Sequence, residues 1–226
     1  MKLLITNDDG IDAPGIKLLA KVAEKFGEVT IVAPKFEQSG VSHRLSFDRP
    51  LTIEEVATKS YQVDGTPGDC VRLAMSTLGE KFDWVLSGIN NGANLGVEFY
   101  YSGTVAAARE ALLLGTPSIA LSQYRRKYSA PFDWECNFEL VQILLEKLLA
   151  DQPAENEFYN VNFPDSDQAE QQLVKCQADM TPLPNIYVDT EDGLELSFKY
   201  KDRGRQSGLD VDICFGGDVS ITRHSL

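Results

Sequence analysis

Two acidic side chains stand next to each other in Thr6-Asn7-Asp8-Asp9-Gly10, directly after the apolar run Lys2-Leu3-Leu4-Ile5. Neighbouring carboxylates in one turn repel, and both stay ionised only where a cation lies between them or water screens them. A divalent cation is the partner this pair invites. The pair equally fits a plain turn with an Asx cap onto a following helix, so other donors have to decide. A hydroxyl at Ser39 and an amide at Asn90 complete, with Asp8 and Asp9, an all-oxygen set that suits Mg²⁺ or Mn²⁺ rather than zinc. Tyr101-Ser102-Gly103-Thr104 then leads into Val105-Ala106-Ala107-Ala108. A helix that opens on such residues offers free N–H groups and hydroxyls, a seat for a phosphate or carboxylate.

A cation held this way polarises a phosphoryl oxygen and lowers the pKa of a bound water, so phosphate-ester hydrolysis here requires no histidine. An Asp not fully committed to the metal would take the water's proton. His43 and His224 are the only histidines. His43 falls in a loop at the same rim and reads as a surface side chain; His224 reads as part of a solvated tail. The chain lacks a Ser-His-Asp set or a reactive-cysteine context, which argues against acyl transfer. An aspartyl-phosphate phosphatase would want Asp-x-Asp, and Asp8-Asp9 has the wrong spacing. Gly88, Gly92 and Gly96 recur every fourth residue, unlike the Gly-x-Gly-x-x-Gly of dinucleotide binders. The rival of a different class is a non-catalytic nucleotide- or anion-binding module, against which the intact Asp8, Asp9 and Asn90 speak.

The elements that must position these residues follow from the apolar periodicity. Lys2 to Ile5 reads as a buried strand and Pro14-Gly15-Ile16 opens a helix with Leu18, Leu19, Val22, Ala23 and Phe26 on one stripe. Glu28 to Pro34 is a second strand, Leu51 to Val63 short strands, and Thr66-Pro67 with Asp69 a helix start. Strands at 82–86, 118–122 and 158–164 alternate with helices at 105–114 and 138–149. This is the β-loop-α repeat of a doubly wound, Rossmann-like and mostly parallel α/β sheet. Asp8, Ser39 and Asn90 then all follow strand ends on one rim, where open α/β sheets bind ligands. We expect one domain over 1–226, with a core to about 165, a hairpin-like excursion over about 173–205 and a terminal edge strand over about 218–222.

Composition narrows the partners. The 226 residues carry a formal net charge of -13, which argues against a nucleic-acid backbone, duplex included, or an anionic membrane surface. An anionic substrate must therefore be held by local groups. Cys70, Cys136, Cys176 and Cys214 are dispersed with no Cys-x-x-Cys pair, the usage of a reduced, cytoplasmic protein. No stretch approaches the roughly 20 apolar residues of a membrane span, and the first apolar run is too short for a signal peptide.

Asn7-Asp8-Asp9-Gly10 with Ala13-Pro14-Gly15-Ile16, Ser39-Gly40 after Ala33-Pro34, Gly65-Thr66-Pro67, Ser87-Gly88-Ile89-Asn90 with Asn94-Leu95-Gly96, and Tyr101-Ser102-Gly103-Thr104 form an ordered motif set. That set resembles the stationary-phase survival protein SurE family across residues 1 to 122, and more weakly through Asn160-Val161-Asn162-Phe163-Pro164. The resemblance implies a three-layer α/β fold and a metal-dependent phosphatase acting on nucleoside 5′- and 3′-monophosphates, with short polyphosphate a further substrate. By motif position it implies one divalent cation, Mg²⁺ or Mn²⁺, on Asp8, Asp9, Ser39 and Asn90. It implies phosphate-side contacts at Gly40, Asn94, Ser102, Gly103 and Thr104, and a homodimer or homotetramer formed by exchange of C-terminal parts. Glu98 stands where the family commonly has Asp, Asn91 where it has a small residue, and Arg223 where it has Pro.

Overall fold

A computed structural model describes residues 1–226 except positions 167, 169 and 199. The first half alternates as expected. β1 (Lys2–Thr6), α1 (Pro14–Ala23) and β2 (Glu28–Pro34) are followed by the paired β3 (Ile53–Ala57) and β4 (Ser60–Val63). Then come α2 (Pro67–Thr77), β5 (Trp84–Asn90), α3 (Gly103–Leu113), β6 (Ser118–Gln123), α4 (Phe138–Ala150) and β7 (Glu157–Phe163). The C-terminal part contributes β8 (Leu173–Lys175), β9 (Tyr187–Thr190), β10 (Gly193–Leu196), α5 (Asp210–Gly216) and β11 (Val219–Ser225). Local chemistry sets the helix starts. Thr66 and Asp69 form a reciprocal capping box with Pro67 in the first turn of α2. The Ser102 hydroxyl accepts the Val105 N–H at 3.0 Å and caps α3.

Among the described residues nine strands make one sheet in the order β3-β4-β2-β1-β5-β6-β7-β11-β8. All neighbours are parallel except β3/β4 and β7/β11. Successive side chains of a strand face opposite ways, and the core divides accordingly. Leu3, Ile5, Trp84, Leu86, Ile119 and Leu121 pack with α1 and α4. Leu4, Val32 and Val85 pack on the other face with Val71 and Ala74 of α2 and Ala107 and Ala111 of α3. The result is a three-layer α/β fold. Among the described residues no helix is long and apolar enough to cross a membrane.

From β1 the chain crosses to β2 on one side, and after α2 it returns to β5 on the other. The loops leaving β1 and β5 therefore diverge and open a crevice at the carboxyl ends of the strands. Gly15 lets α1 approach that point: a Cβ there would lie 2.0 Å from the Ile89 carbonyl oxygen.

The C-terminal part departs from the sequence reading in three places. Only β9 and β10 form the separate hairpin, while Leu173–Lys175 joins the main sheet beside β11. The strand expected at the edge runs on to Ser225 and lies between β7 and β8, because β7 leaves a free side for it and β8 covers its other side. His224 on that strand is not a solvated tail. Its ring stacks on Phe99 at 3.9 Å between centroids, and burial, then Arg109, lowers its pKa to about 4.

Candidate functional site

A cleft of about 610 Å³ opens at the switch point, and Asp8, Asp9, Ser39, Gly40, Asn90, Asn94 and Ser102 all line it. Asp8 is the first of these to be fixed. It follows β1, is 4% exposed, and one carboxylate oxygen accepts the Thr104 hydroxyl from α3. Its backbone carbonyl accepts the Gln38 N–H at 2.7 Å, which ties the loop after β2 to the end of β1. Asp9 turns the next carboxylate outward, where one oxygen accepts the Asn91 N–H at 2.8 Å.

The electrostatics match an unneutralised pair. Burial raises the Asp8 carboxyl above its ordinary value against the opposing Thr104 hydrogen bond. Burial first, and then the Asp8 carboxylate, pushes Asp9 up to about 7, with Asn91 opposing and Glu37 adding to the rise. No Lys, Arg or His is among the described residues lining the cleft. The pair thus lacks a protein counter-charge of its own.

The other donors present acceptors. The Asn90 amide spends its Nδ2 on the Gly92 carbonyl at 2.8 Å, so its Oδ1 is the end left to serve. The Ser39 hydroxyl donates to Glu37 at 2.6 Å and keeps its lone pairs. Among the described residues no group of three or more His, Cys, Asp or Glu could hold a metal alone. A cation here would rest on two carboxylates, neutral oxygens and water, the donor set of Mg²⁺ or Mn²⁺.

Two expected phosphate contacts are placed otherwise. Gly103 and Thr104 lie behind Asp8 and do not line the cleft. A Cβ on Gly103 would sit 3.0 Å from Asp8, and the fully buried Thr104 gives its hydroxyl to that carboxylate. The first turn of α3 lies against Asp8, just after β1, so these residues hold Asp8 while Ser102 faces the cleft. Asn94 is itself pinned. Its N–H donates to Asn162 Oδ1 at 2.7 Å and its carbonyl accepts Asn160 Nδ2 at 2.9 Å, which gives the two asparagines of β7 a task. Sequence reasoning missed Glu37, Tyr101, Tyr128 and Leu183 on the cleft wall. Glu37 sits two residues before Ser39 in a loop already placed at the rim, which was a usable cue; Tyr128 and Leu183 lie in segments without one.

A family model described as Survival protein SurE matches residues 3–183. A Nostoc protein named as a candidate 5′-nucleotidase is 42% identical over 225 residues, 99% of each chain. The 5′-nucleotidase SurE of Paramagnetospirillum magneticum is 47% identical over 168 residues, covering 73% of this chain and 64% of its own. The crystal structure of the SurE protein from Aquifex aeolicus superposes with a TM-score of 0.86 at 33% identity, over 100% of this chain and 93% of that one.

Proposed function

The chain belongs to the survival protein SurE family, and from that premise we propose that it is a divalent-metal-dependent 5′-nucleotidase. It hydrolyses nucleoside 5′-monophosphates to nucleoside and inorganic phosphate. The observation that carries this reading is the pair of the buried Asp8 and the half-buried Asp9, raised in pKa and without a cationic side chain among the described residues of the cleft it faces.

Asp8, Asp9, Ser39 and Asn90 would hold one Mg²⁺ or Mn²⁺ per subunit. When bound, that ion polarises the phosphoryl group and acidifies a water. Ser102 takes a phosphoryl oxygen, and Gly40 and Asn94 form the adjoining wall. The remaining Asp9 oxygen accepts the proton of the attacking water. The new bond joins the water oxygen to phosphorus, the phosphorus–ester oxygen bond breaks, and the proton taken up by Asp9 passes on to the departing ester oxygen, so the nucleoside leaves as an alcohol. Nucleoside 3′-monophosphates and short polyphosphate present the same terminal phosphoryl group and belong in the substrate panel. The same reading takes the protein as a cytoplasmic homodimer or homotetramer, supported by the apolar side chains that Ile186, Tyr187, Leu194 and Leu196 leave exposed around the β9–β10 hairpin.

The test is release of inorganic phosphate from nucleoside monophosphates with EDTA and after adding back Mg²⁺ or Mn²⁺. Release should stop with chelation and return with metal. A folded protein that binds nucleotide and releases nothing with either metal would instead be a binding module.

A further inference from the structure

The cleft must hold a phosphoryl dianion although Asp8, Asp9, Glu37 and Glu98 line it and no described Lys, Arg or His does. Apart from the cation, attraction has to come from neutral donors. Ser102 is committed in part to capping α3. The segment after β6 brings another donor.

Arg125 anchors that segment. Its side chain is 6% exposed and bridges two places, donating to Asn91 Oδ1 at 2.8 Å and to the Ala130 carbonyl at 2.6 Å. The guanidinium also lies over the Phe132 ring, 4.6 Å from its centroid. A turn closes between them, with the Ala130 N–H donating to the Lys127 carbonyl at 3.2 Å. Tyr128 sits in this turn. Its residue is 59% exposed, yet its hydroxyl reaches down beside Gly92. A Cβ on Gly92 would meet Tyr128 Oη at 2.6 Å and Asn90 Nδ2 at 3.4 Å. The ring thus faces solvent while the polar end enters the cleft, and that end has no hydrogen-bond partner among the described residues. A phenol is neutral at pH 7 and can donate to an anion without adding charge to an acidic cleft.

We propose that Tyr128 is a substrate-contacting residue whose hydroxyl donates a hydrogen bond to the phosphoryl group. The proposal rests on the nucleotidase reading above and deepens it. Arg125 acts as a positioning residue, because it fixes the turn that carries Tyr128 to Asn91, whose own N–H holds Asp9.

The experiment compares wild type with Tyr128→Phe and Tyr128→Ala, using inorganic phosphate as the probe in calorimetry with Mg²⁺ and AMP as substrate. Tyr128→Phe should bind phosphate about tenfold more weakly, the size of one hydrogen bond to a charged group. It should raise KM for AMP by a similar factor and leave the Mg²⁺ affinity and melting temperature as in wild type. Wild-type phosphate binding by Tyr128→Phe would overturn the proposal. So would a loss confined to Tyr128→Ala, which would show that the ring fills space and the hydroxyl does nothing. If wild type releases no phosphate from AMP, the nucleotidase reading fails while the phosphate calorimetry still decides Tyr128; absence of phosphate binding in wild type would overturn both.

Discussion

On the sheet side of the cleft, Asp8 and Asn94 are buried and held by other buried groups, Asp8 by Thr104 and Asn94 by Asn160 and Asn162, with the half-buried Asp9 beside them. On the loop side, Glu37, Ser39 and Gly40 are exposed and their main side-chain partners are each other. Backbone bonds hang the loop at its ends, Gln38 on Asp8 and Ser42 on Tyr101 at 3.1 Å. The difference teaches where the charge is fixed. A low-dielectric wall keeps the carboxylates in place and amplifies their repulsion, so most of the affinity for a cation should reside there. On the loop side Ser39 should add a neutral ligand that water can replace.

The largest effect should follow from Asp9→Asn. Phosphate release should fall at least a hundredfold, because the ligand charge is lost and the water's proton loses its acceptor. The same change should stabilise the metal-free fold. A carboxyl raised from an ordinary value to about 7 in the folded state destabilises the native chain once it must ionise. Wild type in EDTA should therefore lose stability as pH rises from about 4 through 7, and the deficit should persist above that. At pH 8 the variant should exceed wild type by up to roughly 4 kcal/mol, and the gap should close at low pH. Equal melting temperatures across this range would show that Asp9 is solvated, and the contrast between the walls would break.

Thr104→Val comes next. It keeps the shape of the side chain but leaves a buried Asp8 oxygen without its donor, at a cost of about 1 to 3 kcal/mol. Melting should drop by about 2 to 4 °C per kcal/mol for a chain of this length. Mg²⁺ affinity should fall while KM for nucleotide stays within about twofold. A raised KM with unchanged metal affinity would return Thr104 to the phosphate.

Much of the scaffold was legible because it is local. β1, β2, β5 and β6 are short apolar runs closed by turn residues, and the Thr66 capping box is written within four positions. The rim residues Asp8, Ser39 and Asn90 were placed by a single topological rule once those strands were assigned. What was not legible depends on contacts between remote segments. Thr104 and Asp8 are 96 positions apart, and nothing in Ser102-Gly103-Thr104 says which hydroxyl turns toward β1 and which toward the cleft. β8 has three residues and exists because β11 offers a free side. Tyr128 enters the cleft through Arg125 and Gly92, in a stretch whose own pattern reads as an ordinary loop.

The smallest effect separates the two walls most directly. Ser39→Ala removes a neutral oxygen from an exposed loop whose backbone bonds survive the change, since neither Gln38 nor Ser42 uses the Ser39 side chain. Mg²⁺ keeps several waters in protein sites, so a water can occupy the vacated position at small cost. A loss of about two- to fivefold in Mg²⁺ affinity is expected, with kcat at saturating metal nearly unchanged. Removal of the hydroxyl also frees Glu37, whose carboxylate contributes to the raised Asp9 value and can then turn toward the cation. That rearrangement works against the loss, and Ser39→Ala with Glu37→Gln should bind Mg²⁺ more weakly than Ser39→Ala alone. If Ser39→Ala instead matches the collapse of Asp9→Asn, the loop is as rigid a ligand wall as the sheet, and exposure is no guide to which groups hold the cation.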